Sequence, residues 1–210
     1  MAKALHTLQS MFVLTLVFVM LAGLKQGFVE GQSWRLPPEE GQDLDGKPPP
    51  SLAKLRYIKQ IDFTRNYLSG TIPPEWASTK LEYISFTVNR LSGPIPDYLG
   101  NISTLRYLEI QASGFEGPIP SSISSLSNLT ELLINNLNGG ASKFPQLGNM
   151  SKLKSLDLSF NNLAGDIHSD LSGLQSLETL LIDLSYNNFF LETQACRDSL
   201  NLFRSYGNNL

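Results

Sequence analysis

Residues 58–73 read I-K-Q-I-D-F-T-R-N-Y-L-S-G-T-I-P, and residues 81–96 read L-E-Y-I-S-F-T-V-N-R-L-S-G-P-I-P. The second stretch follows the first position for position, so one structural unit occurs more than once in the chain. A third copy, from Leu105, runs L-R-Y-L-E-I-Q-A-S-G-F-E-G-P-I-P. A fourth opens L-T-E-L-L-I at Leu129 and then decays, keeping Phe144-Pro145 at its end. A fifth, from Leu153, gives L-K-S-L-D-L-S-F-N-N-L-A-G-D-I-H, and a partial sixth closes with I-D-L-S-Y-N-N-F at 182–189. The position that holds asparagine in the first two copies falls at 66, 89, 113, 137, 161 and 187, in steps of 23, 24, 24, 24 and 26 residues.

In L-x-x-L-x-L the last two apolar positions alternate with polar ones, the pattern of a short strand with one buried face. Ile61 and Phe63, Ile84 and Phe86, Leu108 and Ile110, and Leu156 and Leu158 are such pairs. One copy cannot bury enough apolar surface to offset the chain entropy it loses. Successive copies must therefore stack their apolar columns and pair their strands. The fold class expected is an α/β-type solenoid of leucine-rich repeats. It is a curved stack with a short parallel sheet on its concave face, about five to six repeats of ~24 residues each.

The asparagine marks where the chain leaves the strand and turns, stranding backbone amides and carbonyls without ladder partners. An inward amide side chain donates and accepts at once, so stacked Asn66 and Asn89 can serve adjacent turns. Ser113 is expected to do part of this and Leu137 none of it, which makes the fourth repeat the loosest turn expected. Gly70, Gly93, Gly117 and Gly165 fall where a side chain would clash or φ is positive. Pro73, Pro96 and Pro120 end each turn in an extended conformation.

The 210 residues are 41% hydrophobic with a formal net charge of -3, a balance that argues against a basic nucleic-acid binder. Residues 11–24, MFVLTLVFVMLAGL, follow Lys3 and His6 and have the pattern of a secretory signal peptide over 1–31. Val29 and Gly31 suit cleavage before Gln32, Ala22 and Gly23 offer an earlier site, and an uncleaved signal anchor is the alternative. No second apolar run of spanning length follows, so no membrane span is expected after cleavage. The lead at 32–51 is rich in Pro and Gly and expected to be irregular; the solenoid is placed at 52–191 and a C-terminal flank at 192–210. Beyond the leader stand one histidine, His168, and one cysteine, Cys196. A structural zinc site needs about four such ligands, so neither a metal nor a cofactor is expected. With one cysteine there is no internal disulfide, and Cys196 is a free thiol or has lost its partner.

The wording L-S-G-T-I-P at 68–73 and L-S-G-P-I-P at 91–96 resembles the plant-type leucine-rich repeat. Leu55-Arg56-Tyr57, IDFTRNYLSGTIPPEW at 61–76, LEYISFTVNRLSGPIP at 81–96 and NLFRSYG at 201–207 resemble the ectodomain of plant leucine-rich-repeat receptor-like serine/threonine kinases. The branch resembled carries a malectin-like domain after its repeats, and the likeness spans roughly residues 51–207. It implies repeats, a malectin-like domain, a membrane span and a kinase. The chain departs from that plan: it has no kinase glycine loop, no H-R-D, no D-F-G and no later spanning block. Residues 33–50 lack the cysteine-bearing cap, and repeats are missing around Tyr107-Leu108-Glu109 and at residues 180–182. The resemblance implies a shortened relative or truncated gene model, with the partner of Cys196 beyond Leu210.

Outward strand positions are expected to line the concave face: Lys59, Asp62, Arg65, Tyr83, Ser85, Tyr107, Glu109, Glu131, Leu133, Lys154, Asp157 and Asp183. Tyrosines among mixed charges on a rigid sheet suit a peptide or protein ligand. Each position taken alone is more often a solvated strand residue than a contact. Asp62, Asp157 and Asp183 occupy one slot of well-separated repeats without a partner histidine, so they are read as solvated, not catalytic. His168 is read as a surface turn residue. Asn101, Asn128 and Asn149 open N-x-S/T sequons before the strands and are glycosylation candidates in a secreted protein.

The function expected is a non-catalytic ligand- or protein-binding module, receptor-like or co-receptor-like, secreted or on the outer face of the plasma membrane. Its partner would be a peptide or protein, a receptor kinase ectodomain among them, and not nucleic acid. Two alternatives stand: a fragment of a transmembrane receptor-like serine/threonine kinase, and a secreted inhibitor of a wall-degrading enzyme. A product that folds poorly is a further possibility, because an uncapped first repeat would expose Leu52, Leu55 and Ile61.

Overall fold

The computed structural model describes residues 43–165, Leu174 and residues 181–189. The expected leader at 1–31, the lead up to residue 42, His168, Cys196 and the flank at 192–210 lie outside them. Among the described residues the strands are, in order, β1 (Asp45–Gly46), β2 (Gln60–Asp62), β3 (Tyr67–Gly70), β4 (Tyr83–Ser85), β5 (Arg90–Leu91) and β6 (Tyr107–Gln111). Then follow β7 (Glu131–Asn135), β8 (Ser142–Lys143), β9 (Ser155–Asp157), β10 (Leu163–Gly165), β11 (Leu181–Asp183) and β12 (Asn188–Phe189).

One strand per copy joins a six-stranded parallel sheet in the order β2-β4-β6-β7-β9-β11. Its register aligns Ile61, Ile84, Leu108, Leu132, Leu156 and Ile182, the second leucine of the template in every copy. The chain then turns and forms a second, shorter ladder on a neighbouring side: β1-β3-β5, the bridges Pro94–Glu116 and Glu116–Asn138, and β8-β10-β12. Five-residue 3-10 helices at Pro50–Lys54, Pro74–Ser78, Asp97–Asn101 and Ser121–Ser125 cross the back of the stack. A helical layer is therefore present, but it is 3-10: five residues are too few for a stable α-helix. Strands lie about 4.8 Å apart and the turns behind them are bulkier, so the six-stranded sheet lines the concave side of the solenoid.

The apolar columns meet between these layers. Trp76, Phe86 and Phe115 are fully buried; Trp76 stacks on Phe86 at 6.0 Å between ring centroids, and Phe115 meets Phe86 edge-on at 6.5 Å. The Trp76 indole N–H donates to the Pro49 carbonyl, tying the core to the lead. Pro73, Pro96 and Pro120 stand extended before their 3-10 helices, with φ of -67°, -72° and -68°. Gly70, Gly93, Gly117 and Gly165 all have positive φ.

Two expectations are overturned at the N-terminal end. Residues 43–51 are not irregular, because Leu44-Asp45-Gly46-Lys47-Pro48-Pro49 occupies the L-x-G-x-x-P half of a further copy. Leu44 is buried, Asp45–Gly46 pairs with β3, and Gly46 has the positive φ of its column. With that half-copy and the Pro50–Lys54 helix in place, Leu52, Leu55 and Ile61 are 3%, 8% and 1% exposed, not the open apolar edge expected.

Candidate ligand-binding face

The asparagine column shows how the strands end. Asn89 Oδ1 accepts from Leu68 N–H of the preceding copy, while its Nδ2 donates to the carbonyls of Phe63 and Phe86. Asn66 does the same for Leu44 N–H and the Phe63 carbonyl. Asn187 accepts from Leu163 N–H and donates to Leu158 and Leu184. In each of these turns a second side chain helps. Asp62, Asp157 and Asp183 accept, through Oδ1, the N–H two residues on, at Thr64, Ser159 and Ser185. Ser85 Oγ accepts from Thr87 N–H in the same way at 3.4 Å. The three aspartates are thus turn-forming groups, a role the solvated reading missed. Asp157 accepts in addition from Gln111 Nε2, Asn135 Nδ2 and Ser159 Oγ, so it is held in place from all sides.

The third and fourth copies lack both devices. In place of D-x-T-x-N at 62–66 stand Glu109-Ile110-Gln111-Ala112-Ser113 and Leu133-Ile134-Asn135-Asn136-Leu137. The Ser113 hydroxyl, expected to do part of asparagine's work, is buried without a hydrogen-bond partner. Leu91 N–H is instead taken by the Ser113 backbone carbonyl at 2.8 Å. That close approach is possible because Gly114 follows at φ +92°: a Cβ there would lie 2.3 Å from the Leu91 carbonyl oxygen. Leu137 contributes no polar group, yet its own N–H is accepted by Asn161 Oδ1. The sheet itself compensates too, since β6 and β7 pair through Ile110–Ile134 and Gln111–Asn135, two positions beyond the other strands. The turn at Leu137 is therefore satisfied, and the departure in the fourth copy comes after it, where residues 138–141 are all exposed.

On the sheet surface the register makes two outward rows. One is Gln60, Tyr83, Tyr107, Glu131 and Ser155; the other is Asp62, Ser85, Glu109, Leu133, Asp157 and Asp183. Gln60 and Ser155 were missed by the sequence reading, though the alternation of the template assigns them this face. Lys59 and Lys154 stand one residue earlier, on the row of Glu82, Arg106 and Thr130 along the edge, where Lys59 pairs with Glu82 at 2.8 Å. Arg65 lies beyond its strand, exposed, in the left-handed turn position with φ 56°. Val88, Ala112, Asn136, Phe160 and Tyr186 share that position and positive φ. Phe160 and Tyr186, 46% and 51% exposed, stack there at 4.0 Å. No template position marked them, because the consensus leaves that site open.

Mid-sheet, Tyr83 and Tyr107 lie 6.0 Å apart with their rings inclined at 50°. The Tyr83 hydroxyl hydrogen-bonds Glu109 and Ser85; burial, and then the charges of Glu109 and Asp62, push its ionisation far above the usual phenol range. Burial likewise raises the Glu109 carboxyl, with Glu131 adding to the effect and the Tyr83 and Ser85 hydrogen bonds opposing it. The two outward rows hold the carboxylates of Asp62, Glu109, Glu131, Asp157 and Asp183 and no lysine or arginine. Asn101 and Asn149 are exposed and Asn128 half-buried, all on the flank that leads into the strands.

A family model described as Leucine Rich Repeat matches residues 152–174. Over 66 residues the chain is 50% identical to a probable leucine-rich repeat receptor-like serine/threonine-protein kinase of Arabidopsis thaliana, and over 67 residues 36% identical to a second probable kinase of that description in the same plant. Those matches take in 31% and 32% of this chain but only 6% and 7% of the relatives, so the chain corresponds to a small part of their length. Among solved structures, the Arabidopsis receptor kinase HAESA, in complex with the peptide hormone IDA and the co-receptor SERK1, superposes with a TM-score of 0.70 at 32% identity, over 84% of this chain and 30% of that one. The plant peptide hormone receptor RGFR1, in complex with RGF2, gives 0.63 at 34% identity, over 70% and 23%. The chain is a leucine-rich-repeat solenoid similar, over a third of its length, to plant leucine-rich-repeat receptor-like kinases and, over most of it, to the repeats of peptide-hormone receptors.

Proposed function

We propose that this chain is a non-catalytic binding module of the plant cell surface, and that it takes a peptide or protein segment across the middle of its concave sheet. The observation that carries the reading is the break in the turn device at the third and fourth copies. There the slot that elsewhere holds a turn-forming Asp or Ser holds Glu109 and Leu133, released from that duty and placed beside Tyr83, Tyr107 and Glu131. Departures from a local rule that are compensated elsewhere concentrate at functional sites. Two tyrosines supply rigid apolar contact area at low entropy cost, and the carboxylate rows around them favour a ligand with basic side chains. The solved relatives bind peptide hormones, which supports the same use of this face.

The chain's residues act by position alone: a preformed sheet, whose tyrosines are already placed, binds without reordering. Secretion through the leader at 1–31 belongs to this proposal. A receptor kinase ectodomain is the further partner that HAESA's complex with a co-receptor makes reasonable. The test is binding of the purified chain to an array of synthetic peptides, cationic, neutral and anionic. Cationic members are expected to bind, and Tyr83→Ala with Tyr107→Ala to weaken them at least about tenfold. Unchanged affinity in that double variant overturns the placement.

A second reading has an observation in its favour. The 50% identity to a receptor-like kinase supports the view that this chain is the repeat portion of such a kinase, of the malectin-containing branch and shortened relative to it. A transcript reading on past Leu210 into kinase motifs would establish it, and a stop codon there would remove it.

A further inference from the structure

We infer that Asn138 is a site of spontaneous deamidation, and that the change opens the side ladder between the third and fourth copies while leaving the concave sheet paired. The inference stands on the fold and is independent of the binding role above. In the fourth copy Pro145 follows Leu137 by eight positions, where Pro96 follows Leu91 by five, and residues 138–141 within that longer link are exposed. On this side the ladder shrinks to single bridges, Pro94–Glu116 and Glu116–Asn138, over a shallow depression lined by Pro94, Glu116, Gly117, Asn138 and Gly139. Water therefore reaches the Asn138 side chain.

The fold itself demands glycine at the next position. Gly139 has φ +133°, and a Cβ there would stand 3.3 Å from Gly117 N. With no side chain on that residue, its backbone nitrogen can swing onto the asparagine side-chain carbon. Among the described residues every other asparagine, from Asn66-Tyr67 to Asn188-Phe189, is followed by a residue that carries a side chain. Asn66, Asn89, Asn161 and Asn187 are also buried, with both ends of the amide hydrogen-bonded. Asn138 is held more lightly. Its N–H donates to the Phe115 carbonyl at 2.9 Å and its carbonyl accepts from Gly117 N–H at 2.8 Å, but Nδ2 reaches the Gly114 carbonyl only at 3.4 Å. The Gly139 N–H donates to no group among the described residues, so the attacking nitrogen is not tied up.

In the reaction the Gly139 nitrogen gives its proton to solvent and bonds to Asn138 Cγ. The Cγ–Nδ2 bond breaks, and the departing nitrogen takes a proton from water and leaves as ammonia, closing a cyclic imide. Water then adds at one of the two imide carbonyls. Opening at Cγ gives aspartate; opening at the main-chain carbonyl gives isoaspartate, whose backbone runs through Cβ and Cγ. The sum is amide plus water to acid plus ammonia. Either acid sets a negative charge beside Glu116, and aspartate turns an acceptor toward the Gly114 carbonyl where Nδ2 now donates. Isoaspartate in addition makes a free carboxylate of the main-chain carbonyl that accepts from Gly117. On the concave side β6 and β7 pair as far as Gln111–Asn135, short of the altered residue, and stay joined.

The experiment holds the full chain in mildly alkaline buffer, folded and in urea, and follows every asparagine by peptide mapping with mass spectrometry. In the folded chain Asn138 is expected to lose its amide first, several-fold ahead of every other described asparagine. Both aspartate and isoaspartate should form, at a rate that rises with pH and is only a few-fold below that in urea. Amide exchange in the aged chain should quicken at Gly117 and Asn138 and stay unchanged at Ala112, whose N–H donates to Asn135 across β6 and β7. Asn138→Gln aged in parallel should show no change at any of the three. An Asn138 that keeps its amide when folded and loses it in urea, or that converts no faster than the other asparagines, overturns the site. Conversion without faster exchange at Gly117 overturns the opening of the ladder, and faster exchange at Ala112 as well overturns the survival of the concave pairing.

Discussion

The turns at Asn66 and Asn89 and the turns at Ser113 and Leu137 solve one problem by different means. In the first pair, two side chains end the strand: an Asp or Ser takes the N–H two residues on, and an asparagine bridges the backbone of two copies. In the second pair neither side chain is present, and the strands run two positions further. A backbone carbonyl then replaces the amide oxygen at Ser113, and the next copy's Asn161 reaches back to Leu137. What is invariant is the need to pair buried backbone groups; the asparagine is one way to meet it. The two devices disappear together, which says that they form a single strand-ending unit.

The largest effect should come from converting one kind of turn into the other. Asn89→Leu reproduces the residue at 137 without the longer strand that accompanies it. Leu68 N–H and the shared carbonyls of Phe63 and Phe86 lose their side-chain partner, at a cost of about 3 kcal/mol. Chemical denaturation monitored by circular dichroism measures this. A loss below about 1 kcal/mol would mean that the strands lengthen readily and the asparagine is dispensable. Gly114→Ala attacks the substitute device: the added Cβ falls on the Leu91 carbonyl at a residue whose φ is +92°. A loss of about 2 kcal/mol is expected, and amide exchange should quicken at Leu91 first. Slowed or unchanged exchange there would show that Ser113's carbonyl is not the partner that matters. Ser113→Ala should be much milder. Its hydroxyl is buried without a partner, so removing it should leave stability within about 0.5 kcal/mol or raise it slightly. A loss of more than about 1 kcal/mol would reveal work done by that oxygen.

Much of this was readable in the sequence, for a physical reason. The apolar spacing is a stacking requirement, so it carries the strands, the inward columns, the positive-φ glycines and the outward row of Tyr83 and Tyr107. The asparagine's double role followed from its donor and acceptor count. Compensation was not readable: that a carbonyl stands in for an amide at Ser113 depends on how close two backbones pass at Gly114. The half-copy at 44–49 was missed because Pro48 stands where Ile72 and Ile95 mark the other copies, although Leu44, Gly46 and Pro49 kept their places. On the candidate face the alternation assigns Tyr83, Ser85, Tyr107, Glu109 and Glu131 to outward sheet positions, and there Ser85, expected to line the open face, is fully buried. It could not place Arg65 or the Phe160–Tyr186 stack, because the residue before the asparagine leaves the strand through a left-handed turn.

The smallest expected effect separates the two regions by pH. Asp62 holds the outward slot of the first copy and accepts a backbone N–H, so its carboxyl oxygen has a structural use. Glu109 holds the same slot in the third copy, where burial raises its pKa and the negative Glu131 adds to the shift. A carboxyl whose pKa is raised on folding binds its proton more tightly in the native state than in the unfolded chain. Its contribution to stability is complete below the unfolded pKa, near about 4.3, and is lost as pH rises through the raised native value. At neutral pH ionised Glu109 therefore works against the fold. Glu109→Gln, which keeps an acceptor for the Tyr83 hydroxyl, should be slightly more stable than the parent at neutral pH, with the gap closing as the pH falls below the ordinary carboxylate range. Asp62→Asn keeps an oxygen that can accept from Thr64 N–H and should leave that turn formed. A gap for Glu109→Gln that does not change with pH would separate its effect from ionisation. A gap that closes on acidification would mark Glu109 as a charge kept at the expense of stability, in the one stretch of the sheet that has given up its ordinary turn.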